Sequence, residues 1–256
     1  MSLLHPRATL TTIAALLALA TIAWLLTARQ AAEMQVSMDF QAPLFMAMWL
    51  TMMVAMMFPT IAPMVLAHRM VVLKRGEGMR PSVAFVLGYL VIWTLVGLLP
   101  LGALMIFRWL LQNSAGASWP PMAAGAVLVA AGLYQFTPWK RACLKACRTP
   151  LDFILSHDFG SGAPGAFRAG LSHGLYCLGC CWALMAVLLL VGFMQLGWMA
   201  AIAAVFLLEK TWRRGIALTR VVGTALVVLG IAVIVRPGLL PLLPGGFLPP
   251  AGGSGM

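Results

Sequence analysis

Long apolar runs alternate with short polar segments along this chain, and the runs set its expected architecture. They cover residues 9–27, 43–72, 82–107, 122–135, 171–193, 198–208 and 216–235. A helix needs roughly 20 apolar residues to cross the hydrocarbon of a bilayer, so the pattern predicts an all-α, polytopic transmembrane helix bundle of about seven spans, the fourth and sixth of them short. Pro59 and Pro63 fall inside the second run. Each removes a backbone donor and is expected to kink that helix, freeing carbonyls near Ala55 and Pro59. The pattern breaks between 138 and 170, where Leu144, Leu151, Phe153, Ile154 and Leu155 are set among charged residues. This segment reads as an amphipathic helix on the membrane surface. Gly160-Ser-Gly-Ala-Pro-Gly165 reads as a flexible joint into the fifth span.

Charge gives the bundle a direction. Arg7, the segments at 68–80 and 136–170, and the cluster Glu209, Lys210, Arg213 and Arg214 lie in segments rich in Lys and Arg, whereas those at 28–41, 105–121 and 193–198 are poor in them. The two sets alternate across seven spans, which predicts a cytoplasmic N-terminus and an external C-terminus. The first run lacks a clean small-x-small cleavage site at its end and reads as a retained span, with a cleaved signal peptide as the rival reading. Residues 1–39 then form an anchor span with a short external loop, residues 40–236 the main helical domain, and residues 237–256 a Pro/Gly-rich tail expected to be disordered.

Composition agrees. The chain is 62% hydrophobic and 9% charged, against about 25% charged in soluble domains. A net charge of +11 would fit nucleic acid if it were gathered on one surface, but here it is divided among loops. The expected surroundings are membrane lipid, with no nucleic acid. Trp139 reads as an interfacial anchor.

The candidate chemistry is soft. His173, Cys177, Cys180 and Cys181 follow one another at helical spacing and share one face of the fifth span. At 1.5 Å per residue, Cys180 and Cys181 fall near the bilayer midplane. In the second span Met48, Met52 and Met56 form one stripe, and Met53 and Met57, with Met46, an adjacent one. Thiolates and thioethers select Cu(I), and one helix cannot surround an ion, so a site shared by the two spans is expected, with zinc as the alternative ion. Cys143 and Cys147, one turn apart beside Lys140, Arg141, Lys145 and Arg148, read as a second, cytoplasmic pair able to exchange metal with a carrier. Methionine and cysteine also serve as plain packing residues, which is the rival reading of each stripe. His68 reads as interfacial, with a metal ligand as the alternative, Glu209 and Lys210 as structural charges, and Gly170, Gly174, Gly179 and Gly192 as close helix contacts. Five cysteines cannot all pair as disulfides. No phosphate-cradling loop, hydrolase triad or pair of catalytic carboxylates is visible, so an enzyme is not expected.

These residues resemble a known family. Lys140-Arg-Ala-Cys143-Leu-Lys-Ala-Cys147-Arg-Thr-Pro150, Gly174-Leu-Tyr-Cys177-Leu-Gly-Cys180-Cys181-Trp-Ala-Leu-Met185, Gly197-Trp198-Met199-Ala, Glu209-Lys210 and the Met48–Pro59 segment are similar to the bacterial predicted metal-binding integral membrane proteins. The resemblance covers about residues 40 to 235. It implies a multi-pass protein of the bacterial inner membrane with a metal site. The expected role is Cu(I) transport, or delivery to a copper enzyme, with a metallochaperone as a further partner. The alternatives are a non-transporting assembly subunit with structural cysteines and, more remotely, a thiol redox protein.

Overall fold

The computed structural model describes residues 6–34, 42–113, 119–156, 159–191 and 195–236. Among them there are nine α-helices and no strand: α1 (Pro6–Met34), α2 (Ala42–Lys74), α3 (Arg80–Asn113), α4 (Trp119–Tyr134), α5 (Pro138–Arg148), α6 (Pro150–Ser156), α7 (Gly162–Val191), α8 (Leu196–Thr211) and α9 (Gly215–Val235). Thr9–Ala32 of α1, all of α2, Arg80–Ile106 of α3, α7 and α9 are long and apolar enough to cross a bilayer. Residues 35–41 and 114–118, together with Asp158, Gly192, Phe193 and residues from 237 onward, lie outside the described residues.

Proline opens α1, α5 and α6 at the first helical position, where its missing N–H costs nothing. Pro150 also disfavours helical backbone at Thr149. The segment expected as one amphipathic surface helix is therefore two, α5 and α6, with Leu144, Cys147 and Phe153 buried and Leu151 and Leu155 exposed. The expected joint at Gly160–Gly165 is shorter than the sequence implied. Gly160 and Gly162 have positive φ, of 80° and 68°, and α7 is already helical from Gly162 through Pro164 and Gly165.

The chain divides into two compact units. The first comprises residues up to Gly102 together with Ala142–Cys180, and the second Ala103–Arg141 with the residues from Cys181 onward.

In the first unit α1 packs on α2. Leu16, Ala20, Ala23 and Thr27, spaced by three and four residues, form a buried seam, while Leu10, Leu17, Leu19, Ile22 and Leu25 are exposed as a lipid-facing side would be. α2 runs unbroken through Pro59 and Pro63 and is buried along most of its length. The Thr60 hydroxyl donates to the Met57 carbonyl at 2.9 Å in this turn. Trp49 donates from Nε1 to the Trp93 carbonyl at 2.9 Å, tying α2 to α3. α3 and α7 meet backbone to backbone. A Cβ on Gly88 would collide with the Phe167 carbonyl, and one on Gly170 with that of Phe85.

The second unit is built on the α4–α9 pair. Gly125 faces Gly230 and Gly132 faces Gly223. A Cβ at Gly132 would stand 2.7 Å from the Gly223 carbonyl oxygen, so only glycine permits this approach. Ala124, Leu128, Ala131, Ala183, Val187 and Val233 form the adjoining core. Lys140 and Glu209 make a fully buried ion pair at 2.8 Å, and α8 packs on α9.

Candidate metal centre

The thiols are set by helical spacing and by one contact that crosses from α5 to α7. On α7, Cys177 and Cys180 are three residues apart and point to one side. On α5, the buried face carries Leu144 and Cys147. The Sγ atoms of Cys147, Cys177 and Cys180 all lie within 4.8 Å of one another. Cys147 and Cys180 are 3.8 Å apart. Three sulfurs around one ion at about 2.3 Å stand about 4.0 Å from each other, so this spacing already suits a three-sulfur site. Among the described residues the convergent group contains no imidazole or carboxylate, a donor set that favours a soft ion over a hard one.

The surroundings fix the sulfurs. The Cys180 thiol donates to the Cys177 carbonyl at 3.1 Å, and the Tyr89 hydroxyl lies 3.2 Å from Cys177 Sγ in a hydrogen bond. All three cysteines are buried. Hydrogen bonds with Cys177 and Cys180, reinforced by burial, push the Cys147 thiol well above the ordinary range. It is a thiol at neutral pH, and binding a metal there must displace its proton.

The structure sorts the sequence candidates. Cys147 is one of the three convergent sulfurs, and Cys143 is not among them. Cys143 is half-buried and packs against Gly179, where a Cβ would come within 2.5 Å of its sulfur. Cys181 is buried and belongs to the second unit. His173 is buried one turn before Cys177. Its ring stacks at 6.0 Å on Phe85 and on Tyr89, with Phe153 edge-on at 5.6 Å. Met48, Met52, Met53, Met56 and Met57 are all buried, and Met57 Sδ accepts a long contact of 3.9 Å from Thr60.

Two relationships escaped the sequence reading. Tyr89 carried no signal, because its partner Cys177 is 88 residues away. Lys140 was read as one of four surface cations, although it is fully buried against Glu209. A lysine is seldom buried without an acid, and with so few acidic residues in the chain Glu209 was a traceable partner for Lys140.

No curated protein and no solved structure matches the chain. The sequence model of the PpoB2 family, described as a copper chaperone, matches residues 46–233, a span that includes all three convergent cysteines; the chain belongs to this family.

Proposed function

We propose that the protein is a membrane-embedded copper chaperone that holds Cu(I) at Cys147, Cys177 and Cys180 and passes it to a copper enzyme. The observation that supports this reading is the convergence of three buried thiols, with no imidazole or carboxylate in the group among the described residues, in a chain of a copper chaperone family. Cu(I) accepts two or three sulfur ligands and is poorly served by carboxylates. The cargo is held rather than transformed, so the protein is not an enzyme.

Several finer features belong to the same reading. The chain crosses the bacterial inner membrane about seven times, through α1, α2, α3, α4, α7, α8 and α9, with its N-terminus in the cytoplasm. At 1.5 Å per residue the 16-residue helices α4 and α8 are about 24 Å long, so they cross with local thinning or flanking loops at the interface. The buried thioethers Met48, Met52, Met53, Met56 and Met57 are softer, weaker ligands from which copper can pass to or from the thiols. Cys143 and Cys181 are neighbouring thiols that assist transfer without holding the ion by themselves, and His173 orders the approach to Cys177. Zinc is the alternative ion, and a metallochaperone is the expected donor.

The test is elemental analysis of the full chain, purified in detergent under reducing conditions and loaded anaerobically with Cu(I). The wild type should carry about one copper per chain, and a Cys147→Ser, Cys177→Ser, Cys180→Ser triple variant should carry none. Equal copper in both would remove the thiols from the account and favour a structural role for them.

A further inference from the structure

A second group of residues in the first unit surrounds a small cavity. It has a volume of about 50 Å³ and is lined by His68, Arg75 and Glu77 at the end of α2, by Ile154, and by Phe159 and Ala166 near the start of α7. About 10–15 Å³ of such space holds one water, so the cavity has room for an ion with a small ligand. His68 is buried, and its Nδ1 has no hydrogen-bond partner among the described residues. Buried polar atoms are ordinarily paired. His68 lines the cavity, and a neutral imidazole is the commonest side-chain ligand for a metal.

From His68 an unbroken series of ring contacts leads to the thiols. His68 stacks on Phe85 at 4.7 Å, Phe85 stacks on His173 at 6.0 Å, and His173 stacks on Tyr89 at 6.0 Å. The Tyr89 hydroxyl then touches Cys177 Sγ. Phe153 closes over His173 edge-on. Aromatic faces attract a monovalent cation through their quadrupole, more strongly where water is excluded. The two imidazoles therefore provide coordinating stations, and the rings between them provide an environment a bare Cu(I) tolerates. Arg75, whose guanidinium donates to the Gly160 carbonyl at 3.3 Å, opposes a cation here, and Glu77 supplies a compensating charge at the same cavity.

We propose that this cavity is the port through which Cu(I) reaches the thiols, with His68 as its first protein ligand and His173 as the next. The proposal rests on the chaperone reading above and adds the route. The ion leaves its donor for His68 by ligand exchange, with no change in oxidation state. It then passes to His173 and finally to the cysteine sulfurs, which release protons as they bind it.

Rate and endpoint separate the two ideas. Cu(I) is presented to the purified full chain as its bathocuproine complex, and transfer is followed by loss of the chelate's absorbance. His68→Phe keeps a ring against Phe85 and removes the ligand. It should load about tenfold more slowly, a size typical of losing one supporting group at a metal site, and reach the wild-type copper content. His68→Met restores a soft ligand and should recover most of the rate. A His68→Phe protein that loads at the wild-type rate overturns the port, as does a His68→Met protein that loads as slowly as His68→Phe. If the wild-type endpoint itself is zero, the chaperone reading fails, and the port with it.

Discussion

Cys147 and Cys180 bring their sulfurs to 3.8 Å although 33 residues separate them in the chain. Cys143, one turn before Cys147 on α5, stays half-buried beside Gly179 instead. The two α5 cysteines are thus inequivalent. Cys147→Ser should weaken Cu(I) retention by 10- to 100-fold or more, the range for disturbing a metal site, while Cys143→Ser should leave it within a few-fold of wild type. Competition against a coloured Cu(I) chelator checks both. Equal losses would return the pair to a shared surface site.

Protons compete for these sulfurs. Because the Cys147 pKa is raised, its thiol form persists through neutral pH, and each displaced proton makes copper affinity about tenfold stronger per pH unit. Retention should therefore rise between pH 6.5 and 8 and fall on acidification. The same competition assay at several pH values measures the slope. A flat profile would mean that the sulfur is already a thiolate.

Tyr89→Phe removes one hydroxyl, the one against Cys177 Sγ. The ring stays to pack on His173 and Trp93. The loss expected from orienting a ligand through a supporting hydrogen bond is about tenfold in affinity, with little change in thermal stability. A large drop in melting temperature with unchanged copper affinity would assign the hydroxyl to folding instead.

In the second unit, the Lys140–Glu209 pair makes a separate prediction. Breaking a buried pair by removing one partner costs about 3–5 kcal/mol. Lys140→Met and Glu209→Gln should each lower the melting temperature in detergent, and the double variant Lys140→Met, Glu209→Leu should recover much of it, since a buried pair is often replaceable by apolar side chains. Three variants of equal stability would show that the pair is not buried as described.

Much of this arrangement was legible in the chain, and the boundary between what was and was not has a physical origin. Apolar runs and charge gave the long helices, because membrane burial is a property of each segment alone. Cys177 and Cys180 were legible for the same reason, since three residues on a helix always place side chains on one side. Pro150 explains why a single surface helix became two, a local rule that the sequence reading did not apply. Cys147 beside Cys180, Tyr89 beside Cys177 and Lys140 beside Glu209 depend instead on how helices pack. That packing is set by close contacts at Gly88, Gly170, Gly132 and Gly223, which mark that backbones approach without saying which ones. The buried methionines of α2 were found as stripes, and the stripes alone do not distinguish ligands from packing.

X-ray absorption at the copper edge is the most direct measurement of the central claim. The full chain, loaded with one equivalent of Cu(I) under anaerobic reducing conditions, should show an all-sulfur first shell at about 2.3 Å, lost in the Cys147→Ser, Cys177→Ser, Cys180→Ser variant. A shell of nitrogen or oxygen in the wild type, or an unchanged sulfur shell in the variant, would contradict the assignment of copper to these three cysteines.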